Sequence, residues 1–242
     1  MESLPLTISL FFGIITLATL LLFCWAVKNS DSERIRSRTG MIFLILICWL
    51  MIQAALSLNG IYNNDLNSLP PKILLLGILP PILGIILIFN LEKGKLFIDS
   101  LSLLHITYLN IIRIFVEIIL HKLFLYKMVP ELITFKGINF DILVGISAPF
   151  IAYYGIRMSK IGRNMVLCWN IAGLALLFNI VTIAFLSAPS PLQKIAFNQP
   201  NVAILYFPFS WLPTFIVPIV LFGHLVSIRQ LLKQKPVTPP QS

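Results

Sequence analysis

Apolar stretches long enough to cross a hydrocarbon layer recur from one end of this 242-residue chain to the other. A layer of about 30 Å takes about 20 helical residues. Seven such stretches fall at roughly 5–27, 41–58, 73–91, 97–126, 140–158, 165–187 and 202–230. They are too long for barrel strands and lack the two-residue alternation of a half-buried sheet, so the backbone groups must be satisfied within helices. The predicted fold is an all-α, polytopic helical bundle occupying residues 1–235. With 58% hydrophobic and 11% charged residues, the composition leaves no room for a water-soluble module. The Pro-rich ending "KPVTPPQS" predicts a polar, disordered tail over 236–242.

The first stretch is not a secretion signal by pattern, because "MESLPLTISL" has no basic residue ahead of its apolar run and no clear cleavage site follows. Basic residues set the expected orientation. One set of alternate loops holds Lys28, Arg34, Arg36, Arg38, Lys93, Lys95, Arg157, Lys160, Arg163, Arg229, Lys233 and Lys235; the other holds Lys72, Lys122, Lys127, Lys136 and Lys194. This predicts an N-terminus outside and a C-terminus in the cytoplasm. The net charge of +9 is spread over these short loops, which fits topology and anionic headgroups and gives no nucleic-acid platform. Cys24, Cys48 and Cys168 lie within apolar stretches without CxxC spacing and are expected as small core residues.

Three spans, a central span and three more suggest an internal repeat. Its third and seventh members are both Pro-interrupted, "ILPPILGIIL" and "FIVPIVLFGHL". Pro80 and Pro81 in the former, and Pro208, Pro213 and Pro218 around the latter, each remove an amide donor, so kinks or gating points are expected there.

The fourth span carries the polar residues that an apolar segment least tolerates. At 100° per residue, Asp99, Asn110, Arg113, Glu117 and His121 share an arc of about 80°. Centring that span puts Arg113 within about 3 Å of the midplane and Glu117 about 8 Å outward. A cation at that depth costs about 3 kcal/mol on insertion scales and requires an anionic partner. Glu117, one turn on, is the expected partner, and the bland reading is a structural i, i+4 pair. The functional reading adds Asn139 and Asp141 from the start of span five, and Ser210, Trp211 and Thr214 from span seven. Together they would form an outer polar cluster that binds or carries a small polar or anionic solute, with proton linkage through its carboxylates.

Three other readings stay open. Glu117, Asp141 and His121 could supply acid and base groups to an integral membrane enzyme. The stripe could serve a non-catalytic sensing or assembly partner. His105 and His224, centred at about 10 and 12 Å inward, could face one another as ligands of a haem or quinone protein. No other feature signals a cofactor, and none is expected. HExxH, GxSxG and P-loop patterns are missing from the sequence, as is a lysine in the apolar part of span seven.

The segments "RIFVEIIL" (113–120), "VPELITFKGINFDILVGISAP" (129–149) and "YFPFSWLPTFIVP" (206–218) resemble an uncharacterised family of bacterial multi-pass inner-membrane proteins. The resemblance implies a bacterial inner-membrane location and carries no activity.

Overall fold

A computed structural model describes residues 4–233, so the expected tail at 236–242 lies outside the described residues. Among the described residues the chain is helical throughout, without strands. In chain order the helices are α1 (Leu6–Lys28), the single turn α2 (Glu33–Arg36), α3 (Thr39–Leu58), α4 (Leu79–Asn90), α5 (Glu92–Ser100), α6 (Leu103–Leu109), α7 (Ile112–Leu125), α8 (Asp141–Phe150), α9 (Arg163–Leu186) and α10 (Val217–Lys233). Wide π-type turns run into α4 (Leu74–Ile78), out of α8 (Ile151–Arg157) and into α10 (Leu212–Ile216). Five of the resulting rods are long and apolar enough to cross a membrane: Leu6–Lys28, Thr39–Leu58, Leu103–Leu125, Arg163–Leu186 and Leu212–Lys233. Leu74–Asn90 makes a sixth if its bent continuation, α5, belongs to it. The α8 rod, ten α-helical residues and a seven-residue π turn, is shorter than a full bilayer crossing needs.

The π turns stand beside prolines. Pro80 and Pro81 occupy the first turn of α4, Pro149 lies inside α8, and Pro213 and Pro218 sit in and just after the turn that enters α10. Widening the helix by one residue accommodates the amide that proline lacks. Pro208 differs from expectation: it follows a cis peptide bond in the irregular segment ahead of the helix and kinks nothing. The two Pro-interrupted segments share this local form and meet. A Cβ on Gly77 would lie 2.5 Å from Thr214 Cγ2, so only glycine lets the π turns come this close.

The uninterrupted helix expected over 97–126 is broken twice. α5 turns 93° away from α4, and Leu101 and Ser102 are extended before α6 begins. The polar run "DSLS" favours this break, because its groups find better partners outside a helix. Asp99 pairs with Arg229 at 2.9 Å and Lys233 at 2.5 Å, and Gln230 Nε2 donates to Ile98 O and Leu101 O. Asp99 therefore leaves the stripe to which 100° spacing assigned it. A second irregularity follows at 107–114, where i→i+3 backbone bonds tighten the α6–α7 junction and rotate α7 relative to Asn110.

The core is built from α1, α6, α7 and α10. Phe12 meets Phe209 at 5.2 Å between ring centroids, and Phe23 meets Phe222 at 5.9 Å, so α1 is fastened along both halves of span seven. α3 is peripheral. Of the three cysteines only Cys24 is buried; Cys48 and Cys168 face outward, because the apolar helices that carry them expose a whole face to the surroundings.

Candidate functional site

The polar centre is built around Arg113, which is 4% exposed. Its Nη2 lies 2.6 Å from Asp141 Oδ1 and its Nε donates to Asp141 Oδ2 at 3.2 Å. Nη2 also donates to the Gly173 carbonyl at 3.2 Å, and Nη1 lies 3.0 Å from His224 Nε2. Guanidinium has donors only, so His224 Nε2 must accept and His224 carries its proton on Nδ1. That Nδ1 donates to Asn170 Oδ1 at 3.1 Å, and Asn170 Nδ2 closes the chain on Val166 O at 2.9 Å. Four helices, α7, α8, α9 and α10, are tied together through one cation.

Two glycines make this possible. A Cβ on Gly173 would lie 2.7 Å from His224 Cε1, and one on Gly145 would lie 2.7 Å from Ile114 Cγ1. Without side chains there, α9 can approach α10 and α8 can approach α7 closely enough for the polar groups to meet.

Glu117 stands one turn beyond Arg113, yet the expected Arg113–Glu117 ion pair does not form among the described residues. Arg113 turns to Asp141 instead, because α8 brings a carboxylate into the plane of the guanidinium, where it is bound by two nitrogens. Glu117 is paired with Asn139, whose Nδ2 donates to Glu117 Oε1 and, at 3.0 Å, to Ile133 O. Asn139 Oδ1 accepts the Asp141 amide at 3.1 Å, an Asx turn that fixes the start of α8. Glu117 Oε2 is buried without a hydrogen-bond partner, although the backbone amide of Phe135 interacts with the carboxylate.

A cavity of about 360 Å³ opens above these groups. Arg113, Glu117, Asn139 and Asp141 form its polar end. Its walls are apolar: Ile73, Leu74 and Ile78 before α4, Leu177, Ile180 and Ala184 of α9, and Leu212, Pro213 and Ile216 before α10. The mouth lies among the connecting segments, at Asp65, Lys72, Pro189 and Ser190, with Tyr62 buried inside it. Tyr62 donates to Gln53 Oε1 at 2.5 Å, and burial pushes its phenol up to about 12 against the opposing pull of that bond. A volume near the lower end of ligand pockets, apolar walls and a few convergent polar groups are the ordinary makings of a small-molecule site.

A family model for a domain of unknown function matches residues 70–232, which includes Arg113, Glu117, Asn139 and Asp141 at the polar end of the cavity. The chain belongs to that family, DUF8737. No curated protein and no solved structure matches it.

Within this DUF8737 domain the other expected site residues lie elsewhere. Asn110 is buried below Arg113 and bonds Ile106 O and Thr107 O of its own helix. His121 rests on Phe135, 4.8 Å between ring centroids, and does not line the cavity. Trp211 turns toward α3, where its Nε1 donates to Leu50 O at 3.0 Å, and Trp49 Nε1 of α3 donates to the Thr214 carbonyl at 2.9 Å; the Thr214 hydroxyl bonds Ser210 O at 2.8 Å, and Ser210 Oγ is buried without a hydrogen-bond partner. His105 hydrogen-bonds Ser102 at 2.6 Å and meets Trp25 edge-on, far in sequence and partner set from His224. The two imidazoles are committed to different networks, and both ring nitrogens of His224 are taken, by Arg113 and Asn170, which leaves none for a haem iron. The expected depth of His224 was too great, because the helix that carries it begins at 212 and not at 202. His224 is about 2 Å from the midpoint of Leu212–Lys233, level with Arg113 at the midpoint of Leu103–Leu125. Among the described residues no group of three His, Cys, Asp or Glu side chains could hold a metal ion. Gly173, Gly145 and Asn170 are site residues that sequence reasoning missed. Only Asn170, a polar residue mid-span, carried a signal.

Proposed function

We propose that this DUF8737 protein is a bacterial inner-membrane protein of seven spans, N-terminus outside, and that it binds, and in a transport cycle carries, a small amphipathic solute with a hydrogen-bond-donating, cationic head such as a protonated amine. The observation that carries this reading is Glu117 Oε2, a buried carboxylate oxygen without a hydrogen-bond partner at the polar end of a largely apolar cavity. A buried acceptor of this kind is costly unless a ligand donor completes it. The anionic solute suggested by Arg113 is less well supported, because that guanidinium already serves Asp141, His224 and Gly173 O. With Glu117 ionised, Arg113, Asp141 and Glu117 carry one negative charge in excess, which a cationic head would compensate. Arg113 also bears on proton linkage. A guanidinium does not give up its proton, so a proton relay through Arg113 to His224 is blocked, and any proton exchange belongs to Glu117 on the cavity side.

In this reading α8 with its π turn is the short fifth span, and α5 lies along the inner membrane surface. The basic-residue asymmetry supports a cavity mouth on the outer side.

The test is ligand-induced thermal stabilisation in lipid nanodiscs, with decylamine, decanol and decanoate as probes of equal length. Decylamine should raise the melting temperature most, and Glu117→Gln should remove that preference. A larger shift with decanoate, or an amine shift that survives Glu117→Gln, would overturn the reading.

A further inference from the structure

A second apolar cleft, about 880 Å³, separates α3 from α4 toward the end of the bundle that carries α2 and α5. Leu44 and Ile45 of α3 form one wall, Pro81 and Gly84 of α4 the other, and Phe222 of α10 the floor. Leu44 and Ile45 are more than half exposed, so this is an open face and not a closed core. Arg38 and Lys93 stand at its rim, both exposed and neither in an ion pair among the described residues. Their positions fix the level of the rim: Arg38 immediately precedes α3, and Lys93 follows the end of α4 at Asn90 by three residues. Both cations therefore lie where the apolar helices end, at the depth of phosphate groups.

We infer that this cleft is a binding site for one anionic glycerophospholipid, with acyl chain packed between α3 and α4 and headgroup held by Arg38 and Lys93. The charge decides the occupant. Two unpaired cations at the end of an apolar cleft complement a molecule that is anionic at one end and hydrocarbon at the other. A second copy of the chain would bring its own helix into the cleft and leave both cations uncompensated. Gly84 is open: a Cβ built there meets nothing within 4 Å, so the cleft is deep at this point and a larger side chain can be placed in it without a clash. This site is separate from the Glu117 cavity and shares no lining residue with it.

Native mass spectrometry of the full chain, purified with equal amounts of phosphatidylglycerol and phosphatidylcholine of one chain length, tests the inference. One phosphatidylglycerol should be retained in preference to phosphatidylcholine. The double variant Arg38→Gln/Lys93→Gln should weaken that preference roughly 30-fold, the effect of two juxtamembrane cations. Gly84→Phe should displace both lipids by filling the cleft. Glu117→Gln should leave lipid retention unchanged, which separates failure here from failure of the cavity reading. Equal retention of the two lipids by the native chain, an unaltered preference in the double variant, or a dimer cross-linked through Ile45→Cys would overturn the inference.

Discussion

Arg113 of α7 and Asp141 at the head of α8 lie 2.6 Å apart near the middle of the helical bundle, although 28 residues separate them in the chain. The pair is buried on both sides, so its contribution is conditional: each charge is tolerable only because the other is present. Arg113→Met alone should cost about 3–5 kcal/mol, as should Asp141→Leu alone, since each leaves a buried charge uncompensated. The double variant should lose less than the sum, with a coupling of at least about 1 kcal/mol in a double-mutant cycle of detergent-solubilised protein. Additive losses would mean that the two residues act independently.

Gly173 should resist enlargement because His224 occupies the space a Cβ would need. Gly173→Ala is expected to destabilise by about 1–3 kcal/mol through overpacking. His224→Ala carries its own cost, because Arg113 and Asn170 lose a partner, but in that background the added cost of Gly173→Ala should shrink, since the clashing ring is gone. An equal cost of Gly173→Ala in both backgrounds, measured by melting, would place the strain elsewhere.

Asp99 sits on α5, outside the long apolar rods, and gives the chain an acid-sensitive contact. Burial raises its carboxyl, but hydrogen bonds and charge from Arg229 and Lys233 outweigh this and hold it below its usual range. Its folded value is therefore depressed. The stabilisation is fully present above the unfolded value of about 4 and is lost as pH falls through the lower folded value. Melting measured from pH 7 to pH 3 should show a loss at the acid end that Asp99→Asn makes smaller. An identical acid profile in the variant would exclude this contact as its source.

Topology is open to a direct measurement. A reporter fused after Lys235 should register as cytoplasmic, and one inserted in the 188–201 segment as external, as the distribution of basic residues requires. The opposite pair of signals would move the mouth of the Glu117 cavity to the inner face.

The membrane character and helical form of this chain follow from sequence because they depend on local quantities: run length, apolar content and the need of each backbone group for an internal partner. Arg113, Glu117, Asn139 and Asp141 were legible as site candidates for the same reason, since a charged or amide group in an apolar helix must find a partner wherever that partner comes from. The partner itself was not legible. A 100° projection assigns Glu117 to Arg113, but it assumes one unbroken helix. The break at Leu101, the tightened turn near Asn110 and the late start of the last helix at Leu212 each change phase or depth in ways set by distant contacts.

What the sequence alone determined, then, was which side chains could not be left unpaired in an apolar surrounding, because that cost belongs to the residue and its own helix. Which of them met was decided only in the tertiary structure. Close approach at Gly145 and Gly173 brought Asp141 and His224 to the Arg113 guanidinium and left Glu117 to Asn139 and the cavity, while Trp211 turned to α3. Helix-to-helix distance depends on the small residues of both partners at once, and that is a property of no single segment.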